Sequence, residues 1–234
     1  MVSWGKAFCV ALKIIKRMAQ HVLQTGLSAG MSATAGVHDS KPHNVNPSSK
    51  DNPVLPQSFI PTVETRVTFR GKNGNVSAPT MAWGAWSWGD KATWHWSDDE
   101  MPALEQAWQL CVQKGMTFID NAQVYGSGTS ESIHGILISR LPRNQTFVQT
   151  KWYVVPDNAT NLLSPSHAPA KMLKDSLKRL GLDYIDCYLV HGHIHASSIS
   201  QAAKGLAECV DSGMTKTVGV AHYSAEDMLQ MQAE

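Results

Sequence analysis

The 234-residue chain is long enough for one sizeable core with a tail, and its formal net charge of +1 gives no reason to expect a nucleic-acid partner. No apolar run approaches the length of a transmembrane segment. Its four cysteines show no CxxC spacing, and Cys111, Cys187 and Cys209 fall inside apolar segments as small core residues, which favours a reducing compartment and a cytoplasmic location.

Residues 1–64 read differently from the remainder. No acidic residue occurs between Met1 and His38. At ~100° per residue around a helix, Trp4, Phe8, Ala11, Ile15, Met18 and Val22 share one face, and Lys6, Lys13, Lys16 and Arg17 share another. This basic amphipathic stretch reads as a mitochondrial presequence, the alternative to a cytoplasmic location, or as a docking helix. Residues 30–62 are rich in Ser, Pro, Asn and Thr and lack periodicity, the composition of a disordered linker. A folded domain is therefore expected over 65–234.

Within that domain, residues 67–69 and 76–78 flank Lys72-Asn73-Gly74 as a hairpin. A short apolar strand over 80–84 follows. Helices are expected over 100–114, 130–141, 169–180 and 198–211, with Gly115, Gly181 and Gly213 as C-caps and Pro142 as a stop. Strands fall between them at 117–120, 146–151, 184–191 and 217–221, and Ser224 caps a last helix. The strands are apolar throughout rather than alternating, so both faces are expected to be buried, as in a parallel sheet covered by helices.

A doubly wound sheet and a (β/α)₈ barrel both fit this order. No GxGxxG follows the first strand and no GxxxxGK[ST] occurs, which weighs against the dinucleotide-fingerprint and P-loop folds. Asp120, Lys151 and His191 end three successive strands, and a barrel would bring strand ends to one mouth together with Tyr125 just beyond the first of them. A lysine ammonium at the end of an apolar strand needs a counter-ion if it is buried, and Asp120 is the nearest candidate.

These residues sit in familiar surroundings. The segments "GMTFIDNAQVYG" and "SLKRLGLDYIDCYLVH" resemble the two signatures of the aldo-keto reductase superfamily, and "SES…G", "TK" and "GVAHYS" fall in the right order around them. The likeness covers residues ~65 to 234. It implies an α/β fold of (β/α)₈ barrel type and an NADPH-dependent reduction of small aldehydes or ketones to alcohols. It also implies roles. Tyr125 would be the general acid, its phenol pKa brought down from ~10 by the Lys151 ammonium. Asp120 would hold Lys151, and His191 would orient the substrate oxygen. Trp86, in a tryptophan-rich loop after the strand over 80–84, would wall the cofactor and substrate pocket. Asp120 would also border the cofactor.

Three departures stand out. The family's "DTA" reads "DNA" here, with Asn121 for threonine. The family's "GVSN" reads "GVAH" here, so Ala221 and His222 occupy the positions that hold the nicotinamide carboxamide, and Ala221 offers no side-chain donor or acceptor. Five strands of βα type are counted where a barrel has eight, so an incomplete barrel, inactive or impaired as it stands, is expected. Two other classes fit individual features. "HGHIH", with His193 and His195, matches the strand-end HxH of metal-dependent barrel hydrolases, but later-strand ligands are missing and no metal site is expected. A truncated, non-catalytic relative is the non-enzymatic alternative.

Overall fold

The computed structural model describes residues 65–153, 159–192 and 198–234. The basic segment and linker expected over 1–64, and His193 and His195, lie outside the described residues. The first elements form an antiparallel hairpin of β1 (Arg66–Phe69) and β2 (Val76–Pro79). Then come β3 (Trp83–Gly84), α1 (Met101–Gln113), β4 (Phe118–Asp120), α2 (Thr129–Ile138), β5 (Phe147–Tyr153), α3 (Ala159–Leu163), α4 (Ala168–Leu180), β6 (Ile185–His191), α5 (Ile199–Asp211), β7 (Thr215–Ala221) and α6 (Ala225–Ala233).

Strands β3 to β7 pair in chain order, all parallel, as one five-stranded sheet. Helices cross between successive strands, so this is a partial (β/α)₈ barrel. Side chains alternate across it with the period of two that a strand imposes. On one face Phe118, Phe147, Cys187 and Leu189 pack with Phe69, Val76 and Ala78 of the hairpin. On the other, Ile119, Val148, Trp152, Tyr188 and Val190 pack against the helices. Helix α4 shows how its sequence selects this arrangement. Ala170, Leu173, Leu177 and Leu180, three or four apart, are buried as one stripe, and Gly181 closes the helix in the left-handed region at φ 68°. Ser224 caps α6 as expected, in a reciprocal capping box with Asp227.

Four local expectations change. The strand expected over 80–84 is confined to Trp83–Gly84. Strand β5 runs two residues past Lys151, because Trp152 and Tyr153 continue the ladder against Val190 and His191. Helix α2 ends at Ile138, short of Pro142. Strand β7 is not buried on both faces. Val218 is 42% exposed, beside a cavity of about 410 Å³ that Leu206, Val220, Met228 and Met231 also line. Among the described residues no further helix covers that face.

Candidate active site

Register builds the site. Asp120, the last residue of β4, is the ladder partner of Gln149 on β5. The Gln149 amide Nε2 donates to Asp120 Oδ1 at 2.5 Å. Lys151 lies two residues further along the same face, and its side chain is only 6% exposed. The ammonium sits 2.7 Å from Asp120 Oδ1. It donates to the Asn121 carbonyl at 3.0 Å and to the Tyr125 phenol oxygen at 3.3 Å. An ammonium has three protons and no lone pair, and here a carboxylate partner and two hydrogen-bond acceptors surround it, as a buried charge requires. Because the phenol oxygen accepts from Lys151, its own proton is directed away from the ammonium and is available to another acceptor.

Tyr125 opens the turn Tyr125–Gly128, in which Gly126 (φ 53°), Ser127 (φ 53°) and Gly128 (φ 94°) all adopt left-handed backbone. The glycines do not leave the ring free to swing. A Cβ on Gly126 would lie 2.7 Å from the Trp88 carbonyl, so the missing side chain lets the turn pack against the loop that carries the tryptophans. Trp86 stacks on Tyr125 with ring centroids 6.2 Å apart, and Trp94 meets Trp86 edge-on at 5.5 Å. Both indoles are about half exposed.

His191 ends β6 and is flanked in register by Tyr153 and Ala221. Its ring stands edge-on to Tyr125 at 5.7 Å and to Tyr153 at 5.5 Å, and stacks on His222 at 5.8 Å. Burial, reinforced by the nearby Lys151 ammonium and His222 and opposed by Asp120, pushes its pKa down to about 4. The imidazole is therefore neutral near pH 7, and its buried Nδ1 has no hydrogen-bond partner. Ala221 presents only a methyl group, and His222 is exposed at φ 60°, lying over His191.

Asp120, Tyr125, Lys151 and His191 are thus brought together with Trp86 and His222. Gln149 and Tyr153 also belong to the cluster and were not singled out from the sequence. Both lie two residues from Lys151, so strand period alone could have found them. A second network holds the cluster from the opposite face. Thr150 Oγ1 donates to the fully buried Glu131 Oε1 at 2.5 Å, and Arg179 Nε donates to Glu131 Oε2 at 2.6 Å. The Arg179 side chain lies against Gly128, where a Cβ would come within 2.9 Å of it. This ion pair ties β5, the Tyr125 turn and α4 to one point.

Comparison with known proteins gives the same family as the signatures. The Aldo/keto reductase family model matches residues 80–234. The chain is 32% identical over 157 residues to the aldo-keto reductase YhdN of Bacillus subtilis, covering 65% of this chain and 46% of that protein. It is 30% identical over 166 residues to the aldo-keto reductase yakc [NADP(+)] of Schizosaccharomyces pombe, covering 69% and 48%. A crystal structure of an aldo-keto reductase from Klebsiella pneumoniae in complex with NADPH shares the fold, with TM-score 0.59 at 23% identity over 72% of this chain and 54% of that one. The chain spans about half the length of the curated relatives it matches. With the family model covering most of the chain, and the strand order and both signature segments in agreement, the chain belongs to the aldo/keto reductase family.

Proposed function

We propose that this chain carries the catalytic half of an NADP-dependent carbonyl reductase that converts small aldehydes or ketones to alcohols. The observation that carries the reading is the Lys151 ammonium shared between the Asp120 carboxylate and the Tyr125 phenol oxygen. The phenol oxygen accepts from Lys151 and keeps its proton for a substrate oxygen, and the ammonium stabilises the negative charge left when that proton departs. Asp120 and the Asn121 carbonyl fix the ammonium so that it does not reorganise during the transfer. A neutral His191 donates a hydrogen bond to the same substrate oxygen and sets its position. The stacked Trp86 and Tyr125 rings give that site one aromatic wall.

The NADP preference draws support from the name of the Schizosaccharomyces pombe relative. When bound, the reduced cofactor supplies hydride to the carbonyl carbon. The phenol proton that Tyr125 keeps available fits a polar reacting group beside that hydride. Trp86 and Asp120 would border the nicotinamide. With Ala221 lacking a polar side chain, His222 is left as the side chain for its carboxamide, and it already stacks on His191. We infer that the 234-residue chain alone is impaired, since among its described residues few side chains can be named for the cofactor.

The test compares the chain with a chimera in which the C-terminal part of the Bacillus subtilis relative follows residue 234. Each is mixed with NADPH and 4-nitrobenzaldehyde, and cofactor absorbance is followed. The chimera is expected to turn over and its Tyr125→Phe variant to lose at least ~100-fold in kcat, the scale of general acid catalysis. Retention of a tenth of the rate by that variant would remove Tyr125 from the acid role. Turnover by the unextended chain as a monomer would refute its impairment.

A further inference from the structure

At the end of the sheet opposite Lys151 and Tyr125, a cavity of about 500 Å³ opens between the hairpin and the N-terminal ends of β5, β6 and β7. Arg66, Arg143 and Lys216 line it together with one acid, Asp186, and the side chains of Asn75 and Asn144. Asp186 is nearly buried and serves both neighbouring cations. Its Oδ2 accepts from Arg143 Nη2 at 2.6 Å and from the Val148 amide at 2.9 Å, and its Oδ1 accepts from Lys216 at 3.0 Å. Both cations also lie over the Tyr184 ring, at 4.3 Å and 4.6 Å from its centroid. One carboxylate between two cations leaves one positive charge uncompensated. Arg66, steadied by Ser77 at 2.6 Å, adds a second.

A purely structural role accounts for part of this. Arg143 Nη1 donates to the Thr146 carbonyl and Nη2 to the Tyr184 carbonyl, stapling two strand starts. It does not account for an excess of two positive charges around a polar cavity. Crowded like charges are unfavourable unless a negatively charged acceptor fills the space between them. Guanidinium forks and ammonium groups match tetrahedral oxyanions in geometry and charge. We propose that this cavity binds a small oxyanion of the phosphate class, as inorganic phosphate or as the phosphoryl group of a small metabolite. The site is separate from the candidate active site and does not depend on the reductase reading.

The test uses the 234-residue chain and follows thermal unfolding during titration with sodium phosphate, at constant ionic strength in chloride. A site ligand gives a rise in Tm that follows binding saturation, with half-effect expected at roughly millimolar phosphate. Surface exclusion of phosphate raises Tm without saturation. Broadening of the ³¹P signal by protein gives an independent reading of binding. Arg66→Gln, which alters an exposed side chain, should keep the Tm in chloride and weaken the phosphate response several-fold. Lys216→Gln should abolish it. If Lys216→Gln does not fold, Arg66→Gln and the ³¹P signal decide. Glycerol phosphate in a parallel titration separates the two sources, the tighter one being the ligand class. A linear, unsaturable rise with no ³¹P broadening, or an unchanged response in Arg66→Gln, would overturn the proposal.

Discussion

Replacing Lys151 with methionine tests whether the site is held by its buried ammonium. Methionine keeps most of the stem volume and removes two hydrogen bonds and an ion pair. The Asn121 carbonyl loses its donor in a buried place, a loss of about 1–3 kcal/mol for an orphaned polar group. Asp120 suffers less. Its side chain is 36% exposed and keeps the Gln149 amide, so the ~3–5 kcal/mol for breaking a fully buried pair is an upper bound. Against this stands the desolvation of the ammonium itself, which the variant no longer has to bear. A net destabilisation of about 1–2 kcal/mol is expected, or a fall in Tm of roughly 2–8 °C for a domain of this size. Circular dichroism melts of the two proteins side by side give the number. Near-ultraviolet spectra should also change, because Trp86 packs on a Tyr125 ring that has lost its anchor. A Lys151→Met protein as stable as the parent, with an unchanged aromatic spectrum, would mean that the ammonium does not organise this site.

His134 is fully buried, its Nε2 has no partner, and burial together with the Arg143 charge holds its pKa down to about 3. A histidine whose pKa is lowered on folding contributes stability above its unfolded value of ~6.5 that is lost as pH falls towards the folded value. Urea midpoints should therefore drop between pH 7 and pH 4.5 by an amount equivalent to about 2–3 kcal/mol from this residue, and His134→Gln should flatten the slope. Gly126→Ala should destabilise by about 1–2 kcal/mol more than Gly213→Ala, since both leave a left-handed backbone but only Gly126 meets a carbonyl at 2.7 Å; equal losses by urea denaturation would contradict the packed turn. Glu131→Gln removes the buried charge of an ion pair whose Arg179 side chain is 32% exposed and should lower stability by roughly 1–3 kcal/mol, read from the same denaturation curves, with Thr150→Val milder because it takes away a single neutral donor.

The strand ends were legible because two facts are local. Side chains alternate along a strand, and a carboxylate, an ammonium and an imidazole closing three apolar runs have few places to go except a shared mouth. Contacts across strands were not legible, because parity survives a shift of two residues. Asp120 could have stood beside Lys151, yet the register sets it beside Gln149 and leaves the lysine one step higher. The lysine stem spans that step, and the amide that fills the lower place became visible only with the ladder. The glycines after Tyr125 show a related limit. Sequence shows that a turn needs left-handed backbone, but not that the Trp88 carbonyl occupies the space where a Cβ would be. Likewise the apolar run of β7 did not reveal that Val218 would remain in solvent.

The Asn121 position shows how far a residue type can mislead about a site. It stands where the family signature has threonine, next to the acid that pairs with Lys151. The atom that meets the ammonium is the Asn121 backbone carbonyl, which any residue supplies. Its side chain turns to other work: Oδ1 accepts from the Ala122 amide at 2.7 Å and Nδ2 lies 3.5 Å from His134 Nδ1. The substitution therefore leaves the lysine's three partners intact and bears on the interior behind them. The departure at Ala221 and His222 has the opposite character. There the signature relies on side-chain atoms, Ala221 has none to offer, and His222 has already committed its ring to stacking on His191. Two substitutions in the same signature set thus differ in weight according to whether backbone or side chain carries the contact. The second is the one whose reversal, to serine and asparagine, should tighten cofactor binding in the chimera.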